Sequence, residues 1–253
     1  MKKTLAACSL LFILSLTIGC KKDDNSNNPQ DKVTVKGENY FPLSAGMTIK
    51  AKVTGTMSAY DSTGKLVYSE GFNDQVFSAL IGNQTQFEQK NVFPLLGYDN
   101  KKQEYVLAGY FFNNGGEIIG LNQLLSDPDA VLLPKEISVG QEWKISNLRL
   151  NSPALHIKLI EILDNYTDSQ SRKYTDVINL SISSSDSSST YSQGSYRLSQ
   201  ENLTANLYLA KGKGIIELKL NDTAVSKYSY NYSGVNQTSY TKIVSTGVGT
   251  VVD

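Results

Sequence analysis

The chain has 253 residues, with 24 Lys and Arg balanced by 24 Asp and Glu, one histidine and two cysteines. A neutral balance offers no field that would draw nucleic acid or an acidic surface. A single histidine excludes a multi-histidine metal site and leaves at most one histidine general base. The length suits one large core or two small ones.

At the start, Lys2 and Lys3 precede an apolar run from Leu5 to Ile18, and Gly19 stands directly before Cys20. A basic segment, a short apolar segment and a small residue at the cut predict a secretory signal peptide over 1–19. The run is too short to cross a bilayer core of about 30 Å as a helix. Leu16-Thr17-Ile18-Gly19-Cys20 resembles the bacterial lipoprotein signal, in which the cysteine is acylated and becomes the first mature residue. Thr17 departs from that pattern, standing where Leu is more usual, with Leu16 one place early. The resemblance implies palmitate-type acyl chains on Cys20, two or three in number. One chain gives only marginal membrane binding, at about 0.8 kcal/mol per buried methylene, whereas two or more anchor stably.

Lys21 follows the cysteine, in place of the Asp that favours inner-membrane retention in Gram-negative species. Lys22-Asp23-Asp24 looks like the charged export signal of surface lipoproteins in Bacteroidetes-type bacteria. The expected location is the outer membrane, on either its periplasmic or its cell-surface face. Cys8 leaves with the signal and Cys20 takes lipid, so the folded domain has no thiol for a disulfide, a thiolate metal site or a nucleophile.

Residues 20–36 are polar and read as a lipidated flexible tether, and 37–253 as a single β-rich domain. Ile49, Ala51, Val53, Gly55 and Met57 alternate with Thr48, Lys50, Lys52, Thr54 and Thr56, the period of a half-buried strand. Asp61-Ser62-Thr63-Gly64 predicts a hairpin turn, as does Asn113-Asn114-Gly115-Gly116 between the 106–112 and 117–121 runs. The segment 121–125 reads as one helical turn, and Asp127-Pro128-Asp129 as a turn in preference to a Ca²⁺ loop. Residues 155–163 are read as a strand. The serine tract Ser181–Thr190 reads as a mobile loop or strand end, and Ala210-Lys211-Gly212-Lys213-Gly214 separates two more strands. The sum is a mostly all-β fold: a curved antiparallel sheet or half-barrel of about ten to twelve strands with few short helices, either half-barrel or sandwich.

A weak internal echo joins Phe41-Pro42 through Gly46 and Ile49-Lys50 to Leu133-Pro134 through Gly140 and Trp143-Lys144. In each, Pro stiffens the approach, Gly permits the turn, and a large apolar residue enters the core as the strand begins. Those phrases, with Leu209-Ala210-Lys211-Gly212-Lys213-Gly214, resemble recurring elements of uncharacterised β-rich lipoproteins of Bacteroidetes. Ile49 stands where Trp is common there. The resemblance covers about residues 40–220 and implies a curved antiparallel sheet; it brings no activity with it.

The chain carries little catalytic vocabulary. His156 is read as a surface or rim residue on a strand. No Gly-x-Ser-x-Gly elbow surrounds a serine, and no Gly-rich phosphate loop opens a helix. The protein is therefore expected not to be an enzyme, with no catalytic residues, no metal and no cofactor. Tyr228, Tyr230 and Tyr232 lie at period two on one strand face and, with Tyr196 and Tyr240 nearby, offer an aromatic platform for a sugar or peptide. Ser62 and Thr223, in Asp61-Ser62-Thr63 and Asp222-Thr223-Ala224, match a Bacteroidetes O-glycosylation pattern and are placed at turns.

Two functions follow. One is a lipid-anchored envelope protein that binds a partner or apolar ligand in the concavity of its sheet. The other is a surface accessory that binds a glycan or protein through the Tyr-rich face. The expected partners are the membrane, through the lipid, and a protein, lipid or glycan ligand, with no nucleic acid.

Overall fold

A computed structural model describes residues 33–121, 129–145, 154–192, 195–232 and 235–252. Within them fifteen strands follow in chain order. They are β1 (Thr34–Lys36), β2 (Thr48–Tyr60), β3 (Leu66–Ile81), β4 (Thr85–Phe87), β5 (Lys90–Asp99), β6 (Glu104–Asn114), β7 (Glu117–Leu121) and β8 (Asp129–Leu133). Then come β9 (Glu136–Ser138), β10 (Glu142–Ile145), β11 (Leu155–Thr167), β12 (Lys173–Ser192), β13 (Ser195–Ala210), β14 (Gly214–Tyr232) and β15 (Val235–Val252). A 3₁₀ turn, Gly37–Tyr40, follows β1.

All pairing is antiparallel. β1 pairs with β9, and the main sheet runs β10-β11-β12-β13-β14-β15-β2-β3-β5-β6-β7-β8, with β4 attached to β5. Most neighbours are consecutive hairpins. The long-range exception joins the last strand to the first long one, from Lys242 opposite Tyr60 to Val252 opposite Lys50. The two edge strands approach each other, and the Trp143 indole N–H on β10 donates to the Leu132 carbonyl on β8 at 3.2 Å. The curved antiparallel sheet is thus a nearly closed barrel and not a sandwich. Closure removes the exposed edges that an open sheet would present.

Alternation along each strand selects the interior. On β2, Ile49 and Val53 are buried while Lys50 and Thr54 are exposed. They join Leu159, Leu180, Leu209 and Leu218 in one apolar cluster that fills the barrel's base. Tyr40 and Phe41, carried in by the 3₁₀ turn, close that base, and Phe41 meets Phe111 edge-on at 5.4 Å.

The two halves of the sequence echo adopt one backbone arrangement. Gly46 and Gly140 have φ of +80° and +86°, a region open to glycine. Gly46 N–H donates to Ile81 O at 2.8 Å, as Gly140 N–H does to Leu159 O at 2.8 Å. The next residues match as well: Ile81 N–H donates to Met47 O, and Leu159 N–H to Gln141 O. Ile49 and Trp143 are then buried at the second position of their strands.

Two expectations change. The tether was placed through residue 36, but Thr34–Lys36 is a strand in register with Glu136–Ser138, so the fold begins earlier. Ser181–Thr190 is no loop: it is the middle of β12, paired residue by residue with β13 from Val177–Ala210 to Ser192–Ser195. Serine is a poor strand former alone, but β13 pairs the whole tract and β11 its start as far as Ser183, and Ile182 and Ser184 are buried. The single turn placed at 121–125 lies outside the described residues after Leu121, which ends β7. The Asp127-Pro128-Asp129 turn also lies outside them, apart from the first β8 residue. The hairpins at Asp61–Gly64, Asn113–Gly116 and Ala210–Gly214 form as expected, and residues 155–163 lie in strand β11.

The seam yields a prediction. Trp143→Phe keeps the apolar burial but loses the bond to Leu132, and urea denaturation is expected to show a loss of about 1 kcal/mol. Trp143→Ala is expected to lose about 3–5 kcal/mol.

Candidate functional site

Strand length shapes the molecule's one large open face. β12, β14 and β15 have 20, 19 and 18 residues, whereas β7 and β8 have five and β10 four. At about 3.3 Å per residue the longest strand runs roughly 65 Å, beyond the usual range. Strands β12 to β15, with β2 and β3, therefore rise as a wall above the packed base, and among the described residues nothing from the short strands stands across its upper inner face.

Glycines mark the step between base and wall. Gly55 and Gly247 pair across β2 and β15, and Phe72 lies over them. A Cβ on Gly55 would stand 2.5 Å from the Phe72 ring and press on the Thr246 carbonyl. Only glycine lets the ring settle here.

Above Phe72 the inner face turns polar, and register identifies its rows. Asp222 lies opposite Leu203 on one side and Ser245 on the other. One row higher, Ala224 lies between Glu201 and Ile243, with Asp186 beyond Glu201. Higher still, Tyr228 lies between Arg197 and Ser239. On β3, at the wall's opposite side, the Tyr68 hydroxyl donates to Glu70. Tyr68 and Tyr228 remain 47% and 40% exposed.

The row at Asp222 is electrostatically unsettled. Its Oδ1 is buried and has no hydrogen-bond partner among the described residues. Burial, then the charge of Glu201, pushes its carboxyl up to about 6, against a weaker downward pull from the Thr223 amide.

The structure separates the tyrosines that the sequence grouped. Tyr228, Tyr230 and Tyr232 occupy ladder positions of one parity on β14; of the latter two only the backbone is described. Tyr196 lies opposite Ser229, and Tyr240 opposite Lys227, which is the other parity. Those two therefore belong to the wall's outer face and not to a platform with Tyr228. His156 is exposed on β11, opposite Lys144 and Ser183.

Ser62 is exposed in the β2–β3 turn, where Asp61 Oδ1 accepts from the Thr63 amide at 2.9 Å and the Lys65 amide at 3.0 Å. Thr223, placed at a turn by its motif, lies mid-strand in β14 opposite Asn202 and Val244. Its backbone is locked in two ladders, because the strand continues nine residues past it to Tyr232. Cys20 lies outside the described residues.

A second buried carboxylate, Glu217, sits on the outer face of the base. It accepts from the Tyr166 hydroxyl and from the Ser169 amide at 2.8 Å, and Lys219 Nζ lies at 3.2 Å. Tyr166 stacks on Tyr208 with centroids 4.4 Å apart. Burial pushes the Glu217 carboxyl up, but the hydrogen bonds from Tyr166 and Ser169, with Lys219, outweigh it and hold it below its usual range. Fully buried and surrounded by donors, Glu217 fastens the β11–β12 hairpin across β13 and β14 and has no path to a substrate. Sequence reading missed both acids, since nothing local distinguishes a carboxylate that the sheet will later cover.

Among the described residues no group of three or more His, Cys, Asp or Glu is placed to hold a metal ion. Among them, too, no helix is long and apolar enough to cross a membrane. No family model matches the chain, and no curated protein matches it significantly.

Asp222 supplies a pH prediction. Its folded-state pKa is raised, so folding favours the protonated form, and stability is lost as pH climbs from about 4 through about 6. Asp222→Asn removes that loss. Thermal melts should show the variant more stable by about 1–2 kcal/mol at pH 7, after allowance for partial exposure, and equal to the parent at pH 4.

Proposed function

We propose that this is a lipid-anchored protein of the outer membrane, without catalytic activity, that binds a glycan along the open inner face of its tall wall. The observation that carries the reading is the polar inner face, which no described residue covers. It sets two exposed tyrosine rings, Tyr68 and Tyr228, at either side of a band of carboxylates and hydroxyls. Aromatic rings stack on the apolar faces of sugars, and carboxylate and hydroxyl oxygens accept from sugar hydroxyls.

An apolar ligand in the concavity draws less support. The apolar cavity lined by Phe41, Phe111, Leu132 and Leu180 has a volume of about 60 Å³. Pockets for drug-sized ligands run to about 300–1,000 Å³. The barrel's own side chains fill its base.

The anchor rests on Gly19-Cys20 and the basic-apolar order before it. The similarity of the strand-start phrases to Bacteroidetes lipoproteins agrees with it. Either face of the outer membrane is compatible with a wall that stands clear of the anchor.

Two measurements test the two halves. In cells fed labelled palmitate, the parent is expected to take up label and Cys20→Ser none; equal labelling removes the anchor. On a glycan array the purified protein is expected to select one class of oligosaccharide, and Tyr228→Ala to weaken that binding by roughly tenfold, about 1.4 kcal/mol. A parent that binds no sugar at millimolar concentration rejects the glycan reading.

A further inference from the structure

The end of the barrel opposite the tall wall gathers four basic side chains around one pocket. A pocket of about 660 Å³ opens there beside the turns that join β11 to β12 and β13 to β14. Lys50 from β2, Arg172 and Lys173 from the first turn and Lys213 from the second all line it, and among the described residues none of its lining is acidic.

The four cations are not equivalent. Arg172 is committed: it donates through Nε to Asp168 Oδ2 at 2.8 Å, with Nη2 also 2.8 Å from that oxygen in the ion pair, and through Nη2 to the Val251 carbonyl. It acts as a strut that holds the first turn against β15. Lys50, Lys173 and Lys213 are exposed and make no ion pair among the described residues. Lys213 Nζ rests 5.2 Å from the centre of the Tyr174 ring, which holds it over the pocket without neutralising it. The nearby Asp176 carboxylate faces Lys211 Nζ at 3.8 Å. Three ammonium groups without an ion pair among the described residues, set on one concave surface, repel one another, and an anion placed among them relieves that repulsion.

Position identifies the anion. The 3₁₀ turn through which the chain enters the fold touches this same end, with Gly212 N–H donating to Asn39 O at 2.7 Å. Met47, on the pocket's wall, lies beside Gly214 together with Pro42 and Tyr40. From Cys20 to Val33 the chain spans at most roughly 47 Å when fully extended. A lipid on Cys20 therefore keeps this end within that distance of a bilayer surface, less than the roughly 65 Å run of the wall's longest strand.

We infer that the pocket among Lys50, Lys173 and Lys213 binds the phosphate-bearing headgroup of an anionic lipid in the membrane that holds the Cys20 anchor, turning the tall wall away from the bilayer. The inference rests on the proposed anchor for its choice of lipid over free phosphate. The ammonium groups supply point-charge donors for phosphate oxygens, and the apolar side of Met47 accommodates the glycerol end. The interaction weakens with salt, as contacts between basic residues and anionic headgroups do.

The test uses the full chain purified in neutral detergent and titrated by calorimetry with dihexanoyl phosphatidylglycerol, dihexanoyl phosphatidylcholine and inorganic phosphate. Binding is expected for the phosphatidylglycerol, weaker binding for inorganic phosphate and none for the zwitterionic lipid. Replacing Lys50, Lys173 and Lys213 together with Gln should weaken phosphatidylglycerol binding by at least roughly tenfold. If that variant melts lower than the parent, Lys50→Glu, on a single exposed strand position, carries the same comparison. Equal affinity in parent and variants overturns the site. Equal or tighter binding of inorganic phosphate assigns the pocket to free phosphate and overturns the headgroup. Equal binding of the two lipids overturns the role of charge. Intact mass of the same preparation reports acylation of Cys20 separately, so a missing anchor is told apart from a missing site.

Discussion

A sheet of this length must hide its two edges, and here the edges are the weakest pieces of the fold, four residues in β10 and five in β8. So little ladder cannot close a barrel by backbone pairing. The Trp143 indole bridges them instead, with its ring in the core and its N–H on the Leu132 carbonyl. With no cysteine in the folded domain to staple the seam, closure depends on this contact and on the plug formed by Tyr40 and Phe41. What lies above follows from it. Because the seam strands are short, the opposite side rises past them, and no described residue stands across from the polar inner face of β12 to β15.

The same asymmetry distributes chemistry to the two ends. The base is dry inside, and on its outer surface a basic pocket stands near the Arg172–Asp168 and Lys219–Glu217 pairs. The wall carries acids and hydroxyls within, from Asp222 and Glu201 up to Ser239, with Arg197 among them. Phe72, resting over Gly55 and Gly247, marks the boundary between the two regimes.

How much of this is legible in the chain depends on the distance over which each feature is decided. The turns at Asp61–Gly64 and Asn113–Gly116 are local events, and their residues announce them. The repeated strand start is local too, and Gly46 and Gly140 can be read as equivalent before their shared hydrogen bonds are seen. The serine tract misleads because its strand character comes from the long ladder to β13, not from serine. Tyr196 and Tyr240 were grouped with Tyr228 because sequence proximity does not carry parity across a hairpin; register does. The basic pocket was the least visible of all. Lys50 and Lys213 lie 163 positions apart in sequence and meet only because the last strand pairs with the first long one.

The small β1–β9 sheet has a mechanical meaning. Any pull on the chain ahead of Val33 reaches this three-residue pairing, and the Gly37–Lys135 bond beside it, before it reaches the barrel. Those few bonds yield one after another under a load that the long ladders of β12 to β15 share among many. Peeling β1 away pays out roughly 10 Å of extra chain while the barrel stays shut. The pairing is a fuse in series with the fold, and it resets when the load is removed.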